Sequence, residues 1–255
     1  VAGLHDTSLM LPIFYTSPEN INGDLAILTG EEAHHLQKVL RLTKGESAMI
    51  VDGCGNAYRT QIEAIAEKSV KCRIFAPVRN FGEPMHYVTL AGGLSTGYKF
   101  DEVIEKGTEL GVSRFVPVIT EKAKVRIDDE LSGRRKGERW RKVAIAAMKQ
   151  CGRSLIPAIE APIHFEKLFS LANLGQTVIF DPTAGENSFG IFHPDTEQKY
   201  FTLIVGSESG FSAGELQAAR EKGILAVSLG KRILRTENAG PTAAALLMFR
   251  LGEFR

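Results

Sequence analysis

From Met85 onward, short apolar runs alternate with longer stretches of helical period, and most of the runs break at glycine or proline. Tyr87-Val88-Thr89-Leu90-Ala91 ends in Gly92-Gly93. Phe115–Ile119, Val178-Ile179-Phe180, Phe201–Val205 and Ile224–Leu229 follow. Continuous apolar runs of this kind read as strands buried on both faces. Between them, Tyr98–Leu110 reads as a helix stopped by Gly111, and Asp128–Cys151 as a long helix after a charged loop. Ser212 stands three residues before Glu215, the capping-box spacing, and opens a helix through Arg220. Lys231–Asn238 reads as a charged loop leading into an Ala/Leu helix. Residues Ala243–Phe249 of that helix are apolar throughout, which suits either a domain core or a subunit interface. Strands alternating with helices predict an α/β domain with a mostly parallel sheet.

The chain before this point has a different rhythm. Leu25–Leu28, Met49–Val51, Ala57–Ala64 and Val70–Phe75 are short strand patterns, with Asp52-Gly53 as a turn. Gly30–Leu42 reads as one helix with Leu36, Val39 and Leu40 inward. Short strands, turn signals and one helix suggest a small barrel. Pro77–Pro84 reads as a linker, so the expected domains are 10–79 and 85–255. Val1–Leu9 matches no ordered element, and Met10 is an alternative start that would make those residues an extension.

Composition narrows the classes. Of 255 residues, 44% are hydrophobic and 24% charged, which suits a globular chain with a real core. No apolar run is long enough to span a bilayer, and no signal-peptide pattern opens the chain. Cys54, Cys72 and Cys151 form no CxxC pair, so neither zinc nor a disulfide framework is suggested, and a reducing cytoplasm is the simplest setting. With a net charge of +1, a nucleic-acid partner would have to be met by local basic patches.

Candidate chemistry is concentrated in two polar loops. Gly206-Ser207-Glu208-Ser209-Gly210 follows one strand and Lys231–Asn238 follows the next. In open α/β sheets, ligands bind beyond the carboxyl ends of strands, so both loops are site candidates. Gly53-Cys54-Gly55 lacks the third glycine and the helix of a dinucleotide loop and reads as a hairpin turn. Walker, HExxH and GxSxG patterns are absent. His34, Lys38 and Arg41, spaced i, i+4, i+7, form either a solvated basic face or a phosphate-contacting stripe, and His35 beside them either stacks on a base or caps the core. Arg134, Arg135, Lys136, Arg139, Arg141 and Lys142 surround Trp140, a pattern that suits RNA as well as a solvated face. Lys106 and Glu109 fit an i,i+3 pair. Gln150 and Arg153 have no evident structural task.

Taken in order, EEAHHLQKVLR (31–41), KGTELGV (106–112), KQCGRSLIP (149–157), VGSESGFS (205–212) and LGKRILRTENA (229–239) resemble the ribosomal RNA small subunit methyltransferase E family. The resemblance extends from about Ile13 to the end of the chain. It implies a PUA-like barrel that grips RNA, followed by a SPOUT-type, trefoil-knotted α/β domain, an exception to the rule that chains are unknotted. It further implies a cytoplasmic homodimer, free of metal, that transfers a methyl group from S-adenosylmethionine to N3 of a uridine in 16S rRNA. The cofactor would be held by Phe180, Gly206, Ser207, Glu208, Gly210, Leu229, Gly230, Ile233 and Leu234. Arg235 would steady charge developing on the uracil, and Glu237 would either accept the N3 proton or orient Arg235. The RNA-contacting set is then His34, His35, Lys38, Arg41, Arg139, Gln150, Arg153 and Arg232.

Several positions depart from the family pattern. Ser207 and Ser209 replace Pro and Gly, Lys231 replaces Pro, Asn238 replaces Thr, Lys122-Ala123 replaces Arg-Ser or Arg-Cys, and Lys149 replaces Glu. These changes motivate two alternatives: an assembly protein that binds the ribosome without catalysis, or a methyltransferase with a shifted target nucleotide.

Overall fold

The computed structural model of the chain describes residues 11–124, 130–184 and 188–254. They fold as two compact units. The first joins the chain up to Glu83 with Ile145–Ile156, and the second comprises Pro84–Ala144 and Pro157–Arg255.

In the first unit, β1 (Ile13–Tyr15), β2 (Ile21–Asn22), β3 (Leu25–Thr29), β4 (Ser47–Val51), β5 (Asn56–Ala66) and β6 (Ser69–Arg79) form one sheet in the order β1-β4-β5-β6-β3-β2. β1 pairs parallel with β4, and the other pairings are antiparallel. Thr16, just past β1, donates its Oγ1 hydrogen to Ile27 O of β3 at 2.7 Å. In a flat sheet those strands would lie roughly 19 Å apart at about 4.8 Å per step. The sheet therefore curls back on itself around Phe14, Leu28, Leu36, Ile50, Ile62 and Val70. Asp52 shapes the β4–β5 hairpin by accepting from Cys54 N at 2.7 Å and Asn56 N at 3.1 Å, so the Gly53-Cys54-Gly55 stretch is a turn. Burial pushes the Cys72 thiol up to about 11.

Two expectations about this unit are corrected. The predicted linker is shorter, because Pro77, Val78 and Arg79 belong to β6 and pair with β5. The predicted Gly30–Leu42 helix is α1 (Gly30–His34) followed by a π turn, His35–Val39. The wide turn adds a residue and rotates everything after it. Leu36 is buried, but Val39 and Leu40 are 61% and 42% exposed. Arg41 has left the helix with φ 55°, so the single helical face expected for His34, Lys38 and Arg41 does not form.

The second unit contains β7 (Tyr87–Gly93), α2 (Lys99–Glu109), β8 (Arg114–Ile119), most of α3 (Glu130–Cys151), β9 (Ala158–Ile159), β10 (Ile163–His164), α4 (Phe165–Leu168), β11 (Gln176–Phe180), β12 (Tyr200–Val205), α5 (Ala213–Glu221), β13 (Leu225–Val227) and α6 (Thr236–Arg250). Its sheet runs β10-β8-β7-β12-β11-β13, with β9 against β8, and every described pairing is parallel. Nearly every residue of β7, β8 and β12 is buried. Successive residues point to opposite faces, so both faces are covered. α6 packs on α2, β7 and β12.

The expected capping box is present in full: Ser212 Oγ accepts from Glu215 N, and Glu215 Oε2 accepts from Ser212 N. Gly111, at φ 87°, ends α2 in the left-handed conformation that a side chain disfavours. The charged loop is shorter than expected, since α6 already begins at Thr236 and places Glu237 and Asn238 in its first turn. Lys106 pairs with Glu102 at 3.1 Å and Asn238 at 3.3 Å, not with Glu109. In α6, Ala243, Ala244, Leu247 and Met248 are buried, while Leu246 and Phe249 are 42% and 69% exposed. The first nine residues and the start of the expected Asp128–Cys151 helix lie outside the described residues.

Candidate functional site

Where β11, β12 and β13 end, the second unit holds a cavity of about 610 Å³. Phe180 ends β11 and leads Asp181 and Pro182 into it, Val205 ends β12 and leads Gly206 to Glu208, and Leu229, Gly230 and Arg232 to Glu237 contribute from the segment after β13 and the start of α6. Phe180, Gly206, Ser207, Glu208, Gly210, Leu229, Gly230, Ile233 and Leu234 all line it, as do Arg232, Arg235 and Glu237. Parallel strands leave their carboxyl ends on one side, which is why loops distant in sequence meet here.

Backbone closeness builds the cavity's floor. A Cβ on Gly93 would lie 2.2 Å from Ser207 N and 2.6 Å from Gly206 C, so the end of β7 must be glycine for the β12 loop to sit against it. Ser207 Oγ and Thr120 Oγ1 share a hydrogen bond at 3.1 Å. Lys122 donates to Phe211 O at 2.7 Å, and Glu215 accepts from Glu121 N at 2.9 Å. The loop after β8 thus clamps the loop after β12. Gly210 and Gly230 have positive φ, and a Cβ on either would meet open space. Lys99, from the first turn of α2, pairs with Glu208.

Glu237 is buried, and its Oε2 has no hydrogen-bond partner among the described residues. Arg235 Nη1 lies 3.9 Å from Glu237 Oε1, too far for a hydrogen bond, and the Arg235 side chain is 82% exposed. The carboxylate and guanidinium groups form a long ion pair with no hydrogen bond between them. An acceptor oxygen held without a donor beside a cavity is suited to receive a proton or a hydrogen bond from whatever enters.

Sequence reading missed Lys99, Thr120 and Asp181. Lys99 and Thr120 act through partners more than 80 residues away, with no local pattern to reveal them. Asp181 had a signal, since it directly follows a strand whose last residue was already a candidate. Its Oδ1 accepts from Thr183 N and Oγ1 at 2.6 and 2.7 Å, which fixes the turn out of β11.

The expected RNA-contacting residues divide. In the first unit His34, Lys38, Arg41 and Gln150 are exposed. His35 packs edge-on against Phe14, with ring centroids 5.9 Å apart, so it caps the core. Arg153 is corrected outright. It is 2% exposed, and its Nε and Nη2 donate to Glu83 Oε2 at 3.0 and 2.8 Å, so its guanidinium is not available to RNA. Lys149 is paired with Glu32. In the second unit Arg232 is exposed at the cavity. Trp140 is buried, packs at a tilt against Phe100 and donates to Asp101 Oδ1 at 3.0 Å, so its ring is not part of an RNA-facing surface with its basic neighbours. Arg139 also donates to Asp101, at 2.8 Å, and lies over the Tyr98 ring.

Comparisons with known proteins agree with this architecture. The RNA methyltransferase domain family matches residues 82–248, and the RNA methyltransferase PUA domain family matches residues 28–75. Ribosomal RNA small subunit methyltransferase E of Synechocystis sp. is 34% identical over 235 residues, spanning 89% of this chain and 74% of its own length. The protein of that name from Buchnera aphidicola is 30% identical over 96% of both chains. The crystal structure of ribosomal RNA small subunit methyltransferase E from Neisseria gonorrhoeae, bound to S-adenosyl methionine, superposes with a TM-score of 0.81 at 31% identity, covering 94% of this chain and 97% of that one. With the matched families covering both units, and the cavity lined by both signature loops, the chain belongs to the ribosomal RNA small subunit methyltransferase E family.

Proposed function

We propose that this protein uses S-adenosylmethionine to methylate N3 of a uridine in the 16S rRNA of the small ribosomal subunit. The observation that carries the reading is Glu237, a buried carboxylate with an unpartnered oxygen in a cavity lined by the two signature loops. The cavity's size falls in the range of about 300–1,000 Å³ typical of small-molecule sites. Phe180, Leu229, Ile233 and Leu234 offer apolar walls to a flat adenine ring, and Gly210 and Gly230 put no side chain into the space beside them. Bound there, S-adenosylmethionine supplies an electrophilic methyl group.

The chain's own residues then align the uridine and manage its proton. Uracil N3–H is a weak acid, so Glu237 accepts its proton as the nitrogen attacks. Arg235, exposed at the cavity, donates to a uracil carbonyl oxygen as negative charge grows there. The base must leave its stack to reach them. His34, Lys38, Arg41, Gln150 and Arg232 are exposed donors suited to the phosphates of the RNA. The barrel over 10–79, with Ile145–Ile156 in the same unit, serves as an RNA-binding domain, and the rest of 85–255 as the knotted methyltransferase domain. Exposed Leu246 and Phe249 on α6 suit a homodimer contact. Action on ribosomal subunits places the protein in the cytoplasm; among the described residues no helix is long and apolar enough to cross a membrane.

Four of the positions that depart from the family pattern make contacts of their own: Ser207 bonds Thr120, Lys122 holds Phe211 O, Lys149 pairs with Glu32 and Asn238 accepts from Lys106. Nothing in the structure explains Lys231. Incubation with unmethylated small subunits and radiolabelled S-adenosylmethionine should label 16S rRNA, and nucleoside mass spectrometry should identify N3-methyluridine. Absence of label under conditions where calorimetry detects cofactor binding would sink the proposal. Gly93→Ala tests the floor separately. A methyl group wedged against the backbone of Ser207 costs about 1–3 kcal/mol. Calorimetry should show S-adenosylmethionine affinity reduced roughly tenfold or more.

A further inference from the structure

Tyr98 is 71% exposed at the N-cap of α2, directly before the Lys99 that lines the cavity. A single exposed aromatic is ordinary; what sets Tyr98 apart is its place beside the cavity and the contacts that fix its ring. The ring is also held in place. The Arg139 guanidinium carbon lies 4.7 Å from its centroid, and Arg139 is itself anchored by Asp101, in the first turn of the same helix, at 2.8 Å. Asp101 is fixed in turn by Trp140 Nε1 at 3.0 Å. Cation–π contact on one side of the ring orients it and leaves the remaining surface to solvent.

The charges nearest the ring are paired, Lys99 with Glu208 and Arg139 with Asp101, and two further cations stand beyond them. Arg135 and Lys142 are exposed and lie four residues before and three after Arg139, on the same face of α3. A flat apolar ring among cations, at the rim of a pocket that takes a flipped base, matches the chemistry of single-stranded RNA: bases stack on the aromatic ring while the backbone follows the charge. Resting on the RNA methyltransferase reading, we propose that Tyr98 is a stacking platform for the nucleobase next to the target uridine. Arg139 acts as the positioning residue that holds the ring, and Arg135 and Lys142 meet the adjoining phosphates. The subsite would discriminate by strand state, accepting an unstacked neighbour and disfavouring a paired one.

The test is steady-state methyl transfer to unmethylated small subunits by the wild type, Tyr98→Ala and Tyr98→Phe, with calorimetry of S-adenosylmethionine on each. Loss of base stacking should raise KM for the RNA about tenfold in Tyr98→Ala. kcat and cofactor affinity should stay near wild type, because Tyr98 does not line the cavity. Tyr98→Phe should restore the wild-type KM, since the ring and not the hydroxyl does the stacking. A single-stranded rRNA fragment carrying 2-aminopurine beside the target should be quenched by the wild type and by Tyr98→Phe, but not by Tyr98→Ala. If the wild type is active and Tyr98→Ala keeps both its KM and its quenching, the stacking proposal is wrong while the functional reading stands. Tyr98→Ala that changes only the sedimentation coefficient would mark the face as a subunit contact and also overturn it. A wild type inactive on every RNA would overturn the functional reading, and this proposal with it.

Discussion

Replacing Glu237 with glutamine should lower methyl transfer by about 10²–10⁴-fold, the usual worth of a positioned general base. The substitution preserves shape in the first turn of α6, so packing and cofactor binding should survive. What it removes is the buried oxygen that has no donor among the described residues. Without that acceptor, the uracil proton must leave to solvent. The variant's rate should then climb about tenfold per pH unit as hydroxide takes over, while the wild type stays flatter across the same range. A structural role, in which Glu237 only steadies Arg235, predicts a different pattern. Glu237→Gln would retain most activity with no steep pH dependence, and Arg235→Ala would be the damaging change. The 3.9 Å separation of the two side chains argues for the first outcome. Single-turnover rates for both variants across pH decide between them.

The largest loss of stability is expected from Glu83→Ala. Its carboxylate accepts from Arg153 Nε and Nη2 through one oxygen, and from Ser154 N and Leu155 N, both at 2.8 Å, through the other. The ion-pair side chains are only 3% and 7% exposed. Removing one partner of a buried pair strands the other charge and costs about 3–5 kcal/mol. Two backbone N–H groups lose their acceptor as well, a penalty that overlaps with the first and is not simply additive. Urea denaturation followed by a probe in the first unit should show the midpoint falling sharply. Adding Arg153→Met should recover part of the loss by removing the stranded charge, but not all, because Ser154 N and Leu155 N remain unpaired. A cost under about 1 kcal/mol for Glu83→Ala, the level of a surface ion pair, would mean the site relaxes or floods with water.

The features legible in the sequence are those written in local chemistry. Ser212 and Glu215 carry their own capping geometry, Gly111 ends α2 because of its own backbone freedom, and the apolar runs of β7, β8 and β12 need no partner to be read as buried strands. The two cavity loops were legible because they follow strands. What failed depended on direction or distance. The spacing of His34, Lys38 and Arg41 assumed 3.6 residues per turn, and a single π turn removes that assumption. Trp140 sits among cations in sequence, but its side chain turns inward to Phe100 and Asp101, leaving Tyr98 as the exposed ring. Arg153 looked free because its partner, Glu83, is 70 residues away.

The make-up of the first unit sets an order of events during synthesis. Its sheet is complete once β6 has been made, yet Met148 and Ile156 pack with Met49, Val51 and Ala57, and Arg153 supplies the counter-charge to Glu83. Those residues emerge from the ribosome only after β7, α2 and β8 of the second unit. At about 5–20 residues per second, the interval between Glu83 and Ile156 amounts to several seconds. For that time the nascent barrel carries an uncovered apolar patch, and Glu83 lacks both its arginine and its two backbone donors. The amino-terminal unit therefore cannot finish folding first, although it is made first, and chaperone dependence of the nascent chain should be greatest in that interval.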